Sequence, residues 1–291
     1  MESAEHYLAH LRIIRSLFLT LVICLHFHSL PDKQKGEYVQ AMEYYQKVYE
    51  VQIDHGGDTL ELATTLSNIG YAKQQLEDFE GALEANQECL RLRREAFGDT
   101  HEEVASTLSH IALVLLKLER HDIALQVFTE AYRIRKTTLS CDTSNLAFTM
   151  YNIAHIYHHQ GSHENALKFY LATVEVEKGL GIARVDLSIT YYNIGQLFYQ
   201  RGEMELALTK FNEALEIERE CYGANHPTCA RTLNEIGNIE MRLGNLEGMM
   251  KCYTEALRIY KEKGMVDESV VVYSLKLWRF NVVHPEAAPV A

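Results

Sequence analysis

Tyr191-Tyr192-Asn193-Ile194-Gly195-Gln196-Leu197-Phe198-Tyr199-Gln200-Arg201-Gly202-Glu203-Met204-Glu205-Leu206-Ala207 decides the fold of this chain. It is an apolar, helix-forming run that stops at a glycine turn and starts again. Its small residue Gly195 follows an isoleucine and precedes Ala207 by twelve positions. Working outward from it in both directions, the same order returns every 41 or 42 residues. The small position is Gly70, Ala112, Ala154, Gly195 and Gly237, and each follows an isoleucine. Four residues before it stand Leu66, Leu108, Met150, Tyr191 and Leu233; twelve after it stand Ala82, Ala124, Ala166, Ala207 and, as the exception, Met249. A fixed period of this size marks stacked supersecondary units, each burying its apolar face on its neighbours.

The physical reason for such spacing is close helix packing. Two antiparallel helices approach tightly where small side chains face each other, and a bulky neighbour fills the gap that they leave. An apolar stripe continues in the second helix as Val51, Leu92, Ile134, Val176, Ile217 and Ile259. Helix starts are signalled by Asp58-x-x-Glu61 and Thr100-x-x-Glu103, read as capping boxes, and by Pro227 at a helix entry. Gly36, Gly161, Gly202 and Gly244 share one turn position, where a left-handed backbone is expected. An earlier half-repeat shows the same register at Gly36, Tyr38, Ala41, Tyr45 and Val48.

This pattern resembles the tetratricopeptide repeat, with its small residues at the eighth, twentieth and twenty-seventh positions of each unit. The twenty-seventh position here holds Cys89, Ala131, Thr173, Ala214 and Ala256, and the twenty-fourth holds Asn86, Phe128, Tyr170, Phe211 and Tyr253. The longer period, with junctions such as Glu95-Ala96-Phe97-Gly98-Asp99-Thr100-His101 and Glu220-Cys221-Tyr222-Gly223-Ala224-Asn225-His226-Pro227, is similar to the repeats of kinesin light chains. The resemblance covers roughly residues 36 to 264 and is specific for the repeat type rather than for kinesin. It implies an all-α fold, a right-handed solenoid built as a superhelix of antiparallel helix pairs. Residues 31–264 are then the array, with a half-repeat at 36–54 and full repeats at about 58–98, 100–140, 142–182, 184–223 and 225–264. Residues 265–280 read as a capping helix carrying Trp278, and 281–291 as a loose tail.

In this family the first helices of successive repeats line a concave groove. The family's inner positions carry over to Leu113, Leu116 and Lys117 in the second repeat and to Phe148, Tyr151, His155, His158 and His159 in the third. In the fourth they are Ile189, Tyr192, Gln196 and Tyr199; in the fifth, Arg231, Asn234, Asn238 and Arg242. Aromatic and apolar side chains gathered on one face point to a contact surface. The expected partners are protein segments with apolar or aromatic anchors, flanked by acids that meet Arg231 and Arg242.

Composition narrows the classes. A net charge of −12 argues against nucleic acid, whose binding needs a basic face, and against anionic membrane surfaces. Six scattered cysteines without a Cys-x-x-Cys pair suit a reduced, cytoplasmic protein. The apolar run at residues 17–27 has three readings: a helix capping the open end, a signal or anchor, or a membrane span. Cap is favoured, because the run is short for a span and Phe27-His28-Ser29 lacks the small-x-small pattern of a cleavage site. Stable membrane insertion is not expected.

His155 and His159 lie four apart on one helical face, as zinc ligands often do, with His158 and His163 nearby. Ile156 stands where a zinc peptidase carries its glutamate, so the rings read as groove lining, with no metal. Glu102/Glu103 and Glu216/Glu218 read as solvated charges. The chain has no phosphate-binding glycine loop and no nucleophile elbow. No cofactor and no catalysis are expected. The reading is a non-catalytic interaction scaffold; the alternatives are a kinesin-light-chain-like cargo adaptor and the regulatory subunit of an enzyme complex.

Overall fold

Runs of apolar residues at helical spacing, separated by short polar turns, leave the backbone no sheet partner, and helices follow. The computed structural model describes residues 31–138, 143–180 and 184–265, and among them there are eleven helices and no strand. They are α1 (Pro31–Asp54), α2 (Thr59–Gln75), α3 (Phe79–Phe97), α4 (Glu102–Lys117), α5 (His121–Thr137) and α6 (Thr143–His159). There follow α7 (His163–Leu180), α8 (Arg184–Gln200), α9 (Met204–Tyr222), α10 (Pro227–Arg242) and α11 (Leu246–Glu262). No described helix is long and apolar enough to cross a membrane. The end segments expected at 1–30 and 265–291 lie, apart from Met265, outside the described residues.

The chain divides into two compact units, residues 1–124 and 125–291. In the N-terminal unit α1 packs on α2, α2 on α3, and α3 on α4. In the C-terminal unit each helix from α6 to α11 packs on the next. Its core runs through three repeats without a break, from Ala154 and Tyr170 through Ile194 and Phe211 to Ile236, Ala256 and Ile259. Met249, the one departure from alanine at its register, is buried all the same at 2% exposure.

Within a helix pair the small residue faces the residue sixteen positions on. A Cβ added to Gly237 would sit 2.6 Å from the Tyr253 ring, one at Gly195 would meet Phe211 at 3.0 Å, and one at Gly70 would meet Asn86 at 2.7 Å. Glycine is therefore required there for close approach, not for backbone freedom.

A second repeated contact joins each pair to the next. The side chain eleven after the alanine position bonds the threonine five before the next small residue. Thr65 donates to Gln52 Oε1 at 2.9 Å, and Arg93 donates to Thr107 Oγ1 at 2.7 Å while pairing with Glu103 at 2.8 Å. Arg135 donates to Thr149, and Thr232 donates to Glu218 Oε1 at 3.0 Å. Thr190 donates to Glu177 Oε1 at 3.5 Å. The clasp side chains of the later repeats are buried, Arg135 at 2% and Glu218 at 1% exposure, while Gln52 and Arg93 are half-buried. Glu218 is thus not the solvated charge that its acidic neighbourhood suggests, because the helix pair closes over it.

Three local expectations change. Gly36 lies inside α1 without a left-handed backbone, since that helix begins at Pro31 and runs straight through. The cap of α4 is His101 rather than Thr100; its Nδ1 accepts from the Glu103 N–H at 3.2 Å, and its ring stacks on Phe97 at 4.2 Å. His226 repeats this before α10, stacked on Tyr222 at 4.6 Å. The left-handed turn position, Gly161, Gly202 and Gly244 in the later repeats, is Glu77 (φ 65°) and Glu119 (φ 58°) in the earlier ones. Each of these five turns closes with the same bond, from the next residue's N–H to a carbonyl five back, as in Asp78 to Lys73 and Asn245 to Glu240, both 2.9 Å.

A left-handed glutamate carries a steric cost that glycine avoids. Glu77→Gly and Glu119→Gly are each expected to stabilise the protein by about 0.5 to 1 kcal/mol in urea titrations. The same change in mid-helix, Glu84→Gly, is expected to cost about 1 kcal/mol.

The acidic clasps predict a pH dependence. Burial, opposed by the Thr232 hydrogen bond, pushes the Glu218 carboxyl up from 4.5 to about 7. The fold thus holds a proton that the unfolded chain has released. This contribution to stability is full below pH 4.5 and is lost as pH rises through about 7. Glu218→Gln is expected to remove that loss, giving a flatter stability profile and a gain of roughly 3 kcal/mol at most at alkaline pH. Unfolding midpoints measured from about pH 5 to pH 8 check it.

Candidate ligand-binding face

Successive first helices in the C-terminal unit carry the inner-register residues, and the structure joins them across repeats. Asn193 on α8 donates to Tyr151 Oη on α6 at 2.9 Å, and His158 on α6 bonds Gln200 on α8 at 3.0 Å. From α10, the Arg231 guanidinium lies 4.5 Å over the Tyr192 ring and that of Arg242 lies 4.4 Å over Tyr199. Gln196 donates to Tyr192 Oη at 3.3 Å. The register that brings Tyr151, His158, Tyr192, Gln196, Tyr199, Arg231 and Arg242 together is the 41- or 42-residue period itself, since equivalent positions stack side by side.

The members differ in exposure. Phe148 (43%), Ile189 (37%) and Met241 (45%) present large apolar groups to solvent, and His159, Arg231 and Arg242 are exposed too. Tyr151, His155, His158, Gln196, Tyr199, Asn234 and Asn238 are half-buried. Tyr192 is buried at 8%, edge-on to Phe211 at 5.2 Å, and so belongs to the core rather than to the solvent-facing wall. Arg231 and Arg242 are committed to tyrosine rings, which makes them flat, stacked cations rather than extended ones. Asn238 accepts from Tyr253 at 2.8 Å, and Asn234 keeps a buried Oδ1 with no hydrogen-bond partner. In the N-terminal unit Leu113 and Leu116 are half-buried and Lys117 is exposed, all on α4.

The histidines form a packed row. His155 meets His159 edge-on at 4.5 Å and lies 6.1 Å from the Tyr151 ring. Burial lowers the His158 pKa, opposed by Gln200 and reinforced by His159 and His163, which keeps that ring neutral near physiological pH. Among the described residues no group of three or more His, Cys, Asp or Glu side chains is arranged to hold a metal ion.

The sequence reading passed over a cavity at this face. It measures about 220 Å³ and lies between α6, α7 and α8, walled by Ala147, Phe148, Tyr151, Asn152, Glu177 and Ile189, with Ser144 and Asp186 completing the lining. Asn152 donates to the Phe148 carbonyl at 2.7 Å, which fixes its amide in the wall. Glu177 belongs to the clasp series, and the signal for it was present: its register holds Gln52, Arg93, Arg135, Glu177 and Glu218, polar in every repeat but the last, where Tyr260 stands.

With this geometry in view, comparison with known proteins is informative. The sequence profile of the tetratricopeptide repeat matches residues 33–95, 61–137, 145–219 and 186–262. A comparison with curated proteins finds no match. Among solved structures, BtubC (BKLC) from P. vanneervenii is similar at 18% identity with a TM-score of 0.67, over 82% of this chain and 94% of that one. The apo form of RapI is similar at 15% identity and a TM-score of 0.70, over 94% of this chain and 76% of that one. The repeats of a putative kinesin light chain from Podosopora anserina are similar at 11% identity and a TM-score of 0.60, over 71% and 98%. At these identities the likeness is one of fold.

Proposed function

Because the chain belongs to the tetratricopeptide repeat family, we propose that it works as a non-catalytic protein-interaction scaffold, with the α6–α8–α10 face receiving an extended partner segment. The observation that carries this reading is the row of contacts across repeats on that face. Tyr151 to Asn193, His158 to Gln200, Tyr192 to Arg231 and Tyr199 to Arg242 hold the wall rigid before any partner arrives. A preorganised surface loses less entropy on binding. Phe148, Ile189 and Met241 offer exposed apolar contacts beside it.

A narrower reading, a kinesin-light-chain-like cargo adaptor, is supported by the 41- or 42-residue period and by the fold shared with the Podosopora anserina repeats. Binding of a purified kinesin heavy chain tests it directly.

The scaffold reading is tested by selecting ligands for the full chain from a random peptide library, then comparing variants by titration. Tyr151→Ala with Tyr199→Ala is expected to weaken the selected peptides by about a hundredfold, as loss of aromatic anchors does. Leu171→Ala with Leu206→Ala, which removes exposed leucines from the second helices α7 and α9, is expected to leave affinity unchanged. The opposite pattern overturns the assignment of the face. Tyr192→Ala is unsuitable for this purpose, because its buried ring is expected to cost about 3 kcal/mol of stability.

A further inference from the structure

The cavity between α6, α7 and α8 carries an unbalanced charge. Glu177 is 9% exposed, spends Oε1 on a long contact with Thr190, and its Oε2 has no hydrogen-bond partner. A buried carboxyl oxygen left unpaired is costly unless something meets it. The charged group acting on Glu177 is Asp186, a second acid that also lines the cavity. Glu218, its counterpart one repeat on, has the Arg231 cation acting on it instead. The remaining walls are mainly apolar or aromatic, Ala147, Phe148, Tyr151 and Ile189, with Ser144 and Asn152 as polar members. A buried acid, an exposed one, apolar sides and a flat ring are the complement of one side chain.

We propose that this cavity binds an arginine side chain of the partner segment, its guanidinium against the Glu177 and Asp186 carboxyls, its methylene stem along Phe148, Tyr151 and Ile189. The proposal rests on the scaffold reading and adds the chemistry that the partner supplies. A volume of about 220 Å³ suits a single side chain and falls below that of a pocket for a drug-sized molecule. Arginine fits better than lysine. Its planar fork meets carboxylate oxygens two at a time, its plane stacks on an aromatic ring, and its charge survives burial. Burial, opposed by the Thr190 bond and reinforced by Asp186, raises the Glu177 carboxyl to about 7. An arriving guanidinium reverses that balance and draws the carboxyl into its ionised form. The free protein thus carries a strained acid that its ligand relieves.

The test uses the full chain, labelled with nitrogen-15, titrated with N-acetyl-arginine amide and with N-acetyl-citrulline amide, which keeps shape and loses charge. The expected result is saturable shifts at the amides of Phe148, Tyr151, Glu177 and Ile189 with the arginine probe, and binding at least about tenfold weaker with citrulline. Glu177→Gln keeps an acceptor for Thr190 and is expected to abolish the arginine preference, while Glu218→Gln retains it. Phe148→Ala, at an exposed wall position, is expected to weaken the arginine probe by about threefold. Equal binding of both probes, or an arginine preference that survives Glu177→Gln, overturns the proposal. The scaffold reading fails separately: peptides selected on the Tyr151 and Tyr199 wall that ignore Glu177→Gln sink the arginine pocket alone.

Discussion

One contact sets the geometry of this protein: a small residue on the first helix of each pair pressed against a bulky one sixteen residues later. At Gly237 and Gly195 the partner is a ring, Tyr253 or Phe211, so near that a methyl group would intrude on it. Fixing that distance fixes how the two helices cross, and the crossing fixes which residues of the first helix face outward. Every cross-repeat contact on the candidate face inherits its register from this constraint. Tyr151 reaches Asn193, and His158 reaches Gln200, because each lies 42 residues, one period of the repeat, from its partner.

The clasps between pairs add a polar layer whose character changes along the chain. Gln52, Arg93 and Arg135 donate or accept with little penalty, whereas Glu177 and Glu218 bring carboxyls into the interface with one oxygen unsatisfied each. Such groups are weak contributors to stability and strong ones to specificity and response. Glu218 has a cation acting on it from Arg231, and Glu177 an acid, Asp186. That asymmetry distinguishes a structural strut from a site, and the cavity lies beside the second of them.

Much of this was legible in the sequence, because period and side-chain size carry the packing. The small positions follow from spacing, the bulky residues opposite them and the buried place of Cys89 from the resemblance to the repeat, and the entry at Pro227 from the proline itself. What sequence spacing hid has physical causes. Gly36 sits at a turn register, yet α1 has no preceding helix of a pair among the described residues to turn from. Glu77 and Glu119 adopt a left-handed backbone that glycine marks elsewhere, since the turn's hydrogen bonds override the residue's preference. Tyr192 shares the inner register with exposed residues, but Phe211 and Arg231 enclose its ring. Glu177 and Glu218 look like surface acids until the threonine of the next repeat is brought beside them.

The account's central claim is that Gly237 is demanded by the Tyr253 ring packed against it, closer than at the pairs where alanine holds the small position. A double-mutant cycle between Gly237 and Tyr253, read by urea denaturation, tests it most directly. Gly237→Ala is expected to cost about 2 kcal/mol with Tyr253 in place, through overpacking. In the Tyr253→Leu background the same change is expected to be neutral or to stabilise by up to about 1 kcal/mol, the ordinary helix preference for alanine. An equal effect of Gly237→Ala in both backgrounds would contradict the claim.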